Sequence, residues 1–135
     1  KSKVIPSLIR KFENKNKIEI WGDGKDIKDF IYVEDFVQII LKLLNQPFNF
    51  LTLNVASGES VSLKKIINFM MKIYKKNKKD IKYNLNKPTM IPIRKINVDK
   101  IKKLIKYKLN FNLEKGILRT INWYKKNYTK NERYR

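Results

Sequence analysis

Chemistry first suggests itself in Trp21-Gly22-Asp23-Gly24, which runs straight into the charged segment Lys25-Asp26-Ile27-Lys28-Asp29. Two glycines at this spacing reach backbone angles closed to other residues and let a ligand or another segment approach closely. G-x-G alone is a weak signal, and by spacing an ordinary connection between strands explains it better. The chain has no Cys and no His. That removes disulfides, thiolate metal sites, cysteine nucleophiles, His-based triads and the commonest metal ligand. A formal net charge of +20 on 135 residues is the dominant compositional feature. It suits a phosphate-rich partner, but the lysines are spread along the chain apart from Lys75-Lys76-Asn77-Lys78-Lys79, so solvated lysine is the better reading.

The elements that must position these residues follow from periodicity. Val4, Ile5, Leu8, Ile9 and Phe12 form one face of a helix over Val4–Phe12, with Pro6 in its first turn. Ile18, Ile20 and Trp21 predict a short strand before the glycines, and Phe30-Ile31-Tyr32-Val33 a second after them. Glu34 and Asp35 are candidate caps for a helix over Glu34–Asn45 that ends near Pro47. Leu51–Ala56 reads as a strand and Ile81–Tyr83 as a shorter one. Between them Ser62 is a candidate N-cap for a helix carrying Ile66, Ile67, Phe69, Met70 and Ile73. A proline-marked loop, Lys87 to Asp99, precedes a short helix over Val98–Lys106 and a longer one over Leu113–Tyr128. A polar tail, 129–135, is expected to fray. The 42% apolar share suffices for one compact domain, and no apolar run approaches a membrane span.

Five segments, in unbroken order, resemble extended short-chain dehydrogenase/reductases acting on nucleotide sugars, the NAD(P)-dependent epimerase/dehydratase family. V-I-P-S-L-I-R-K-F, W-G-D-G-K-D-I-K-D-F-I-Y-V-E-D, N-V-A-S-G-E-S-V-S-L, the Lys87–Asp99 loop and L-E-K-G-I-L-R-T-I-N-W-Y match its V-I-P helix, W-G-x-G…R-D-F segment, N-V-x-S-G turn, K-P loop and terminal helix. The resemblance implies the C-terminal substrate-binding portion, over 1–128, of an NDP-sugar epimerase, dehydratase or reductase such as GDP-L-fucose synthase. The implied fold is α/β, with helices on a few short strands and without the N-terminal Rossmann sheet. Lys28 and Arg94 would hold the substrate diphosphate, Lys11 the nucleotide side, and Trp21 would pack on sugar or base. Lys28 stands where the family has arginine, so the charge is kept and the planar fork is lost. Asn97 replaces the commoner Asp of the K-P loop. Lys3 stands where fucose synthases carry a proton-transferring His, which counts against that activity.

The family's G-x-x-G-x-x-G cofactor turn is not formed by Gly22, Gly24, Gly58 and Gly116. Its Y-x-x-x-K pattern occurs twice, at Tyr74/Lys78 and Tyr83/Lys87, which is roughly the chance frequency in so lysine-rich a chain. No catalytic residue is therefore assigned. The expected partners are a GDP- or UDP-sugar and a missing N-terminal Rossmann portion, on the same chain or another. NAD(P) belongs to the intact enzyme and to no site on this chain alone, and a reducing cytoplasm fits the absence of cysteine. Lys1 in place of an initiating Met fits a piece of a longer chain. Two further readings stand beside this one: a small basic module holding polyanions or nucleic acid through charge and aromatic stacking, and an inactive remnant of a truncated gene.

Overall fold

The computed structural model describes residues 3–14, 16–47, 50–89 and 91–131, with side chains to residue 128. The elements are α1 (Val4–Asn14), β1 (Ile18–Trp21), β2 (Ile27–Asp29), α2 (Val33–Leu44), β3 (Ser60–Ser62), α3 (Leu63–Ile73), a single 3-10 turn (Lys78–Asp80), β4 (Ile81–Asn84), α4 (Asp99–Leu104) and α5 (Leu113–Asn131). Two small two-stranded sheets sit among the helices. β1 pairs parallel with β4, Ile18 opposite Ile81 and Trp21 opposite Asn84. β2 pairs antiparallel with β3, Ile27 opposite Ser62 and Asp29 opposite Ser60.

Two apolar clusters hold these pieces. In the larger one Leu8, Ile9 and Phe12 of α1, Ile18 and Ile20 of β1, Ile66, Ile67 and Met70 of α3, and Ile117 and Ile121 of α5 are buried together. The second gathers Ile39 of α2, Ala56, Val98, Ile101 and Ile105. Ser62 does cap α3, its Oγ accepting the Lys65 N–H at 3.3 Å, and the same residue closes β3. α3 then stops at Tyr74. Lys75 turns left-handed with φ 51°, and the Lys76 N–H bonds back to the Met71 carbonyl at 2.9 Å, so the lysine run begins in a helix-ending motif.

Four expectations need correction. The strand expected at Phe30–Val33 lies three residues earlier, because Ile27–Asp29 has a partner in Ser60–Ser62, whereas Val33 already begins α2. Leu51–Ala56 forms no strand and belongs to no sheet among the described residues. Glu34 and Asp35 do not cap α2: Tyr32 holds the cap position without a side-chain bond, and both acids fall in the first turn. Glu34 pairs with Arg119 of α5 at 3.1 Å, and Asp35 is buried against a distant turn. Finally, α5 runs through Asn131, past the helix end expected at Tyr128. Met90 of the K-P loop and residues 132–135 of the tail lie outside the described residues.

Candidate functional site

The parallel pair β1–β4 ends with both C-termini side by side, since the Gly22 N–H donates to the Asn84 carbonyl at 2.9 Å. The outer ends of parallel strands are where loops are free to receive ligands. Trp21 stands there, 50% exposed, with Lys87 Nζ 5.7 Å from its ring centroid. Two positions back along β1, on the same face, Glu19 accepts from Asn84 Nδ2 at 2.6 Å. That bond, with Lys11 and Lys87 close by, holds its carboxyl below the usual carboxylate range. Lys11 reaches in from α1 and donates to the Glu19 carbonyl at 2.7 Å. Lys11 and Trp21 thus meet through Glu19.

Lys28 and Arg94 meet through Ile27. Its N–H donates to the Pro92 carbonyl at 2.7 Å, and its carbonyl accepts the Arg94 N–H at 2.8 Å. The K-P loop is thereby laid parallel along β2, in a bridge between Ile27 and Ile93. The two cations differ in state. Lys28 Nζ is 2.8 Å from Asp26 Oδ2, with both side chains largely shielded. Arg94 is exposed, and its guanidinium has no side-chain partner among the described residues. The sequence reading named these four residues without anticipating that Lys28 is neutralised. The signal was present: Asp26 sits two residues before it, a spacing that places both side chains on one side of an extended chain.

Asp29 was also missed as a positioning group. Its carboxylate accepts the Ser57 and Gly58 N–H groups at 2.9 and 2.8 Å and the Ser57 hydroxyl at 2.8 Å. This ties the N-V-A-S-G turn to the end of β2. Gly22 fixes the other turn. It has φ 75°, and a Cβ there would overlap the Thr89 methyl in the K-P loop. Gly22→Ala is accordingly expected to cost about 1–2 kcal/mol, from left-handed strain plus the displaced loop. Urea unfolding checks it; adding Thr89→Gly should recover only the overlap part, and an unchanged midpoint in Gly22→Ala would disprove the close packing.

The glycines make no dinucleotide cradle. A Cβ at Gly22 would overlap Thr89, and one at Gly24, Gly58 or Gly116 would stand 3.0 Å from Tyr83, 2.9 Å from Val98 or 3.3 Å from the Tyr32 ring. The tyrosines of both Tyr-Lys pairs have raised phenols. Burial and a 2.6 Å hydrogen bond donated to Glu13 raise the Tyr74 phenol well above its ordinary range. Burial, with Asp23 nearby, raises Tyr83. A catalytic tyrosine needs the opposite shift. Among the described residues no group of three or more acidic, Cys or His side chains could hold a metal, and no helix is long and apolar enough to cross a membrane. A concavity of about 290 Å³ lies elsewhere, between α1, the Phe30–Val33 segment and the start of α5. An adjoining one of about 150 Å³ includes Ser57, Glu59 and Phe111. None of the four predicted site residues lines either.

Comparison with known proteins now places the chain. A profile of the NAD dependent epimerase/dehydratase family matches residues 1–56. A dTDP-4-dehydro-6-deoxy-D-allose reductase from a Streptomyces species is 29% identical over 125 residues, which is 93% of this chain and 37% of the reductase. The dTDP-glucose 4,6-dehydratase of Bacillus anthracis, solved with NAD, superposes with a TM-score of 0.82 at 24% identity, over 93% of this chain and 40% of that one. The UDP-glucuronic acid 4-epimerase of Bacillus cereus, solved with UDP-glucuronic acid and NAD, gives 0.80 at 21% identity, over 93% and 40%. The chain therefore spans about 40% of the length of its relatives. Its α/β fold on a few short strands is that of part of an extended short-chain dehydrogenase/reductase, and its first 56 residues resemble the NAD dependent epimerase/dehydratase family.

Proposed function

We propose that this chain is the C-terminal, substrate-binding portion of an NAD(P)-dependent nucleotide-sugar epimerase, dehydratase or reductase. The observation that carries the reading is the Ile27 bridge. It sets an exposed, unneutralised guanidinium, Arg94, alongside β2, where the family-matched Lys28 stands. A guanidinium so placed suits a diphosphate through paired, charge-assisted hydrogen bonds. Lys28 joins it only by exchanging Asp26 for phosphate, so it is the secondary contact. Trp21, already faced by a cation, offers a flat surface to sugar or base, and Lys11 lies on its nucleotide side. No residue of this chain is given a catalytic role. The hydride chemistry is assigned to the cofactor-binding remainder of the intact enzyme.

Calorimetric titration of the chain with GDP-, UDP- and dTDP-sugars against tripolyphosphate tests this. Saturable 1:1 binding that prefers a nucleotide sugar and survives 0.3 M salt (about a threefold rise over a ~0.1 M buffer, enough to screen exposed charges) is the expected result. Equal binding of every polyanion, falling steeply with salt, would show only the +20 charge at work.

A further inference from the structure

The fold gathers the last turns of three helices and the starts of two strands at one edge, opposite the candidate site. β1 and β4 run parallel from Ile18 and Ile81, so the residues leading into them, Lys17 and the Lys78–Asp80 turn, lie side by side. Trp21 closes the other end of β1, four residues and roughly 13 Å further along. α1 ends at Asn14 and α3 at Ile73, and each delivers its C-terminus to the edge where these strands begin. α5 arrives beside them: Lys125 Nζ stands 3.5 Å from Glu13 Oε1 and 5.1 Å from the centre of the Tyr74 ring.

This convergence brings together lysines that lie far apart in sequence. Lys17, Lys72, Lys75, Lys78 and Lys79 are all exposed. Helix C-termini favour cations in the last turn, which accounts for Lys72. The other four lie beyond the helices. The only acids in 13–17, 72–80 and 123–128 are Glu13 and Asp80, and both are committed. Glu13 accepts the Tyr74 hydroxyl at 2.6 Å as well as facing Lys125, and Asp80 accepts the Asn77 N–H at 2.8 Å.

Aromatic rings continue the surface. Tyr74, just before Lys75, packs on Phe12 with ring centroids 5.3 Å apart. Tyr124 and Tyr128 stack at 4.9 Å, and Trp123 meets Tyr128 edge-on at 5.8 Å. Trp123 is 57% exposed and Tyr128 47%, and no other large apolar side chain of these three stretches is exposed among the described residues. The lysine turn thus carries no apolar group to enter a lipid surface. Exposed rings beside spaced cations suit unpaired bases and their phosphates.

We propose that this edge is a second binding site, for an unpaired nucleic-acid strand, with Lys17, Lys75, Lys78 and Lys79 on phosphates and Trp123 and Tyr128 offered to bases. It does not rest on the nucleotide-sugar reading, whose residue Trp21 stands at the far end of the β1–β4 pair.

The test titrates a fluorescein-labelled single strand of about 12 thymidines with the 135-residue chain and follows anisotropy against salt. Contact with about four phosphates gives a log–log slope of about −3. Lys75→Glu, Lys78→Glu and Lys79→Glu together should weaken binding by about 100-fold and flatten that slope by about 2. Lys103→Glu, Lys106→Glu and Lys108→Glu, the same change of net charge on exposed lysines elsewhere, should cost less than about fivefold. Trp123→Ala alters no charge and should cost about tenfold, which tests the surface independently of the triple variants. Equal losses in the two triple variants would mean that net charge alone binds the strand, and would overturn the proposal. Unchanged affinity in Trp123→Ala would overturn it too, as would tighter binding to vesicles carrying about 30% phosphatidylserine than to the strand, or displacement of the strand by a nucleotide sugar.

Discussion

Replacing Asp35 with alanine is expected to destabilise the chain by about 3–4 kcal/mol, the largest effect of any single polar substitution. Its side chain is 2% exposed, and its two oxygens accept the Asn110 and Phe111 N–H groups at 2.8 and 3.1 Å. Those bonds join the first turn of α2 to the turn that launches α5. A carboxylate in the first turn also faces the positive end of the helix dipole. Alanine would leave two main-chain donors unsatisfied in a shielded place, each costing about 1–3 kcal/mol, and would leave a void the size of the lost carboxyl. Asparagine keeps the shape and one accepting oxygen but turns an N–H₂ towards the second donor, so about half the loss is expected. Urea unfolding with both variants reads the pair. Equal midpoints for alanine and asparagine would mean that volume, rather than hydrogen bonding, holds the turn.

Nothing near Asp35 in sequence announces that role, for its partners lie 75 and 76 positions away. The same distinction separates what was legible in the fold from what was not. α1, α3 and α5 follow from helical spacing of apolar residues, and β1 and β4 from short β-rich runs between turns, because these patterns are local. Phe30–Val33 has stronger β propensity than Ile27–Asp29, yet the strand forms at the latter. Ladder formation depends on where Ser60–Ser62 arrives, and Phe30 and Ile31 serve instead as partly buried packing residues for the two clusters. Leu51–Ala56 shows the converse: a strand pattern without a partner among the described residues.

Motif matches could nominate residues for the candidate site but not their electrical state. Motif matching located Lys11, Trp21, Lys28 and Arg94, and the fold sorts them into two pairs joined by the K-P loop. A motif cannot say which cations are already engaged. Lys28 is answered by Asp26 and Lys11 by the Glu19 carbonyl, whereas Arg94 is held only by its backbone. Pairing decides which charge is available to a ligand, because a cation shielded with its carboxylate must lose that partner before it can gain another.

Arg94→Ala should therefore weaken nucleotide-sugar binding by about 30- to 100-fold in the intact enzyme, equivalent to about 2–3 kcal/mol for a charge-assisted contact, while cofactor affinity stays within about twofold. The chain fold should tolerate the change, since what anchors Arg94 is its N–H donated to Ile27, which alanine retains. Arg94→Lys keeps charge without the fork and should recover only part of the binding. Lys28→Ala should behave differently. It strands Asp26 without its cation, so it should lower the unfolding midpoint and reduce substrate affinity by less than Arg94→Ala does. Substrate and cofactor titrations of the three variants, with unfolding curves alongside, distinguish these outcomes. Equal loss of substrate and cofactor binding in Arg94→Ala would remove Arg94 from the diphosphate site. A larger binding loss in Lys28→Ala would mean that Asp26 releases its lysine to the substrate, making that exchange, rather than the free guanidinium, the principal anchor.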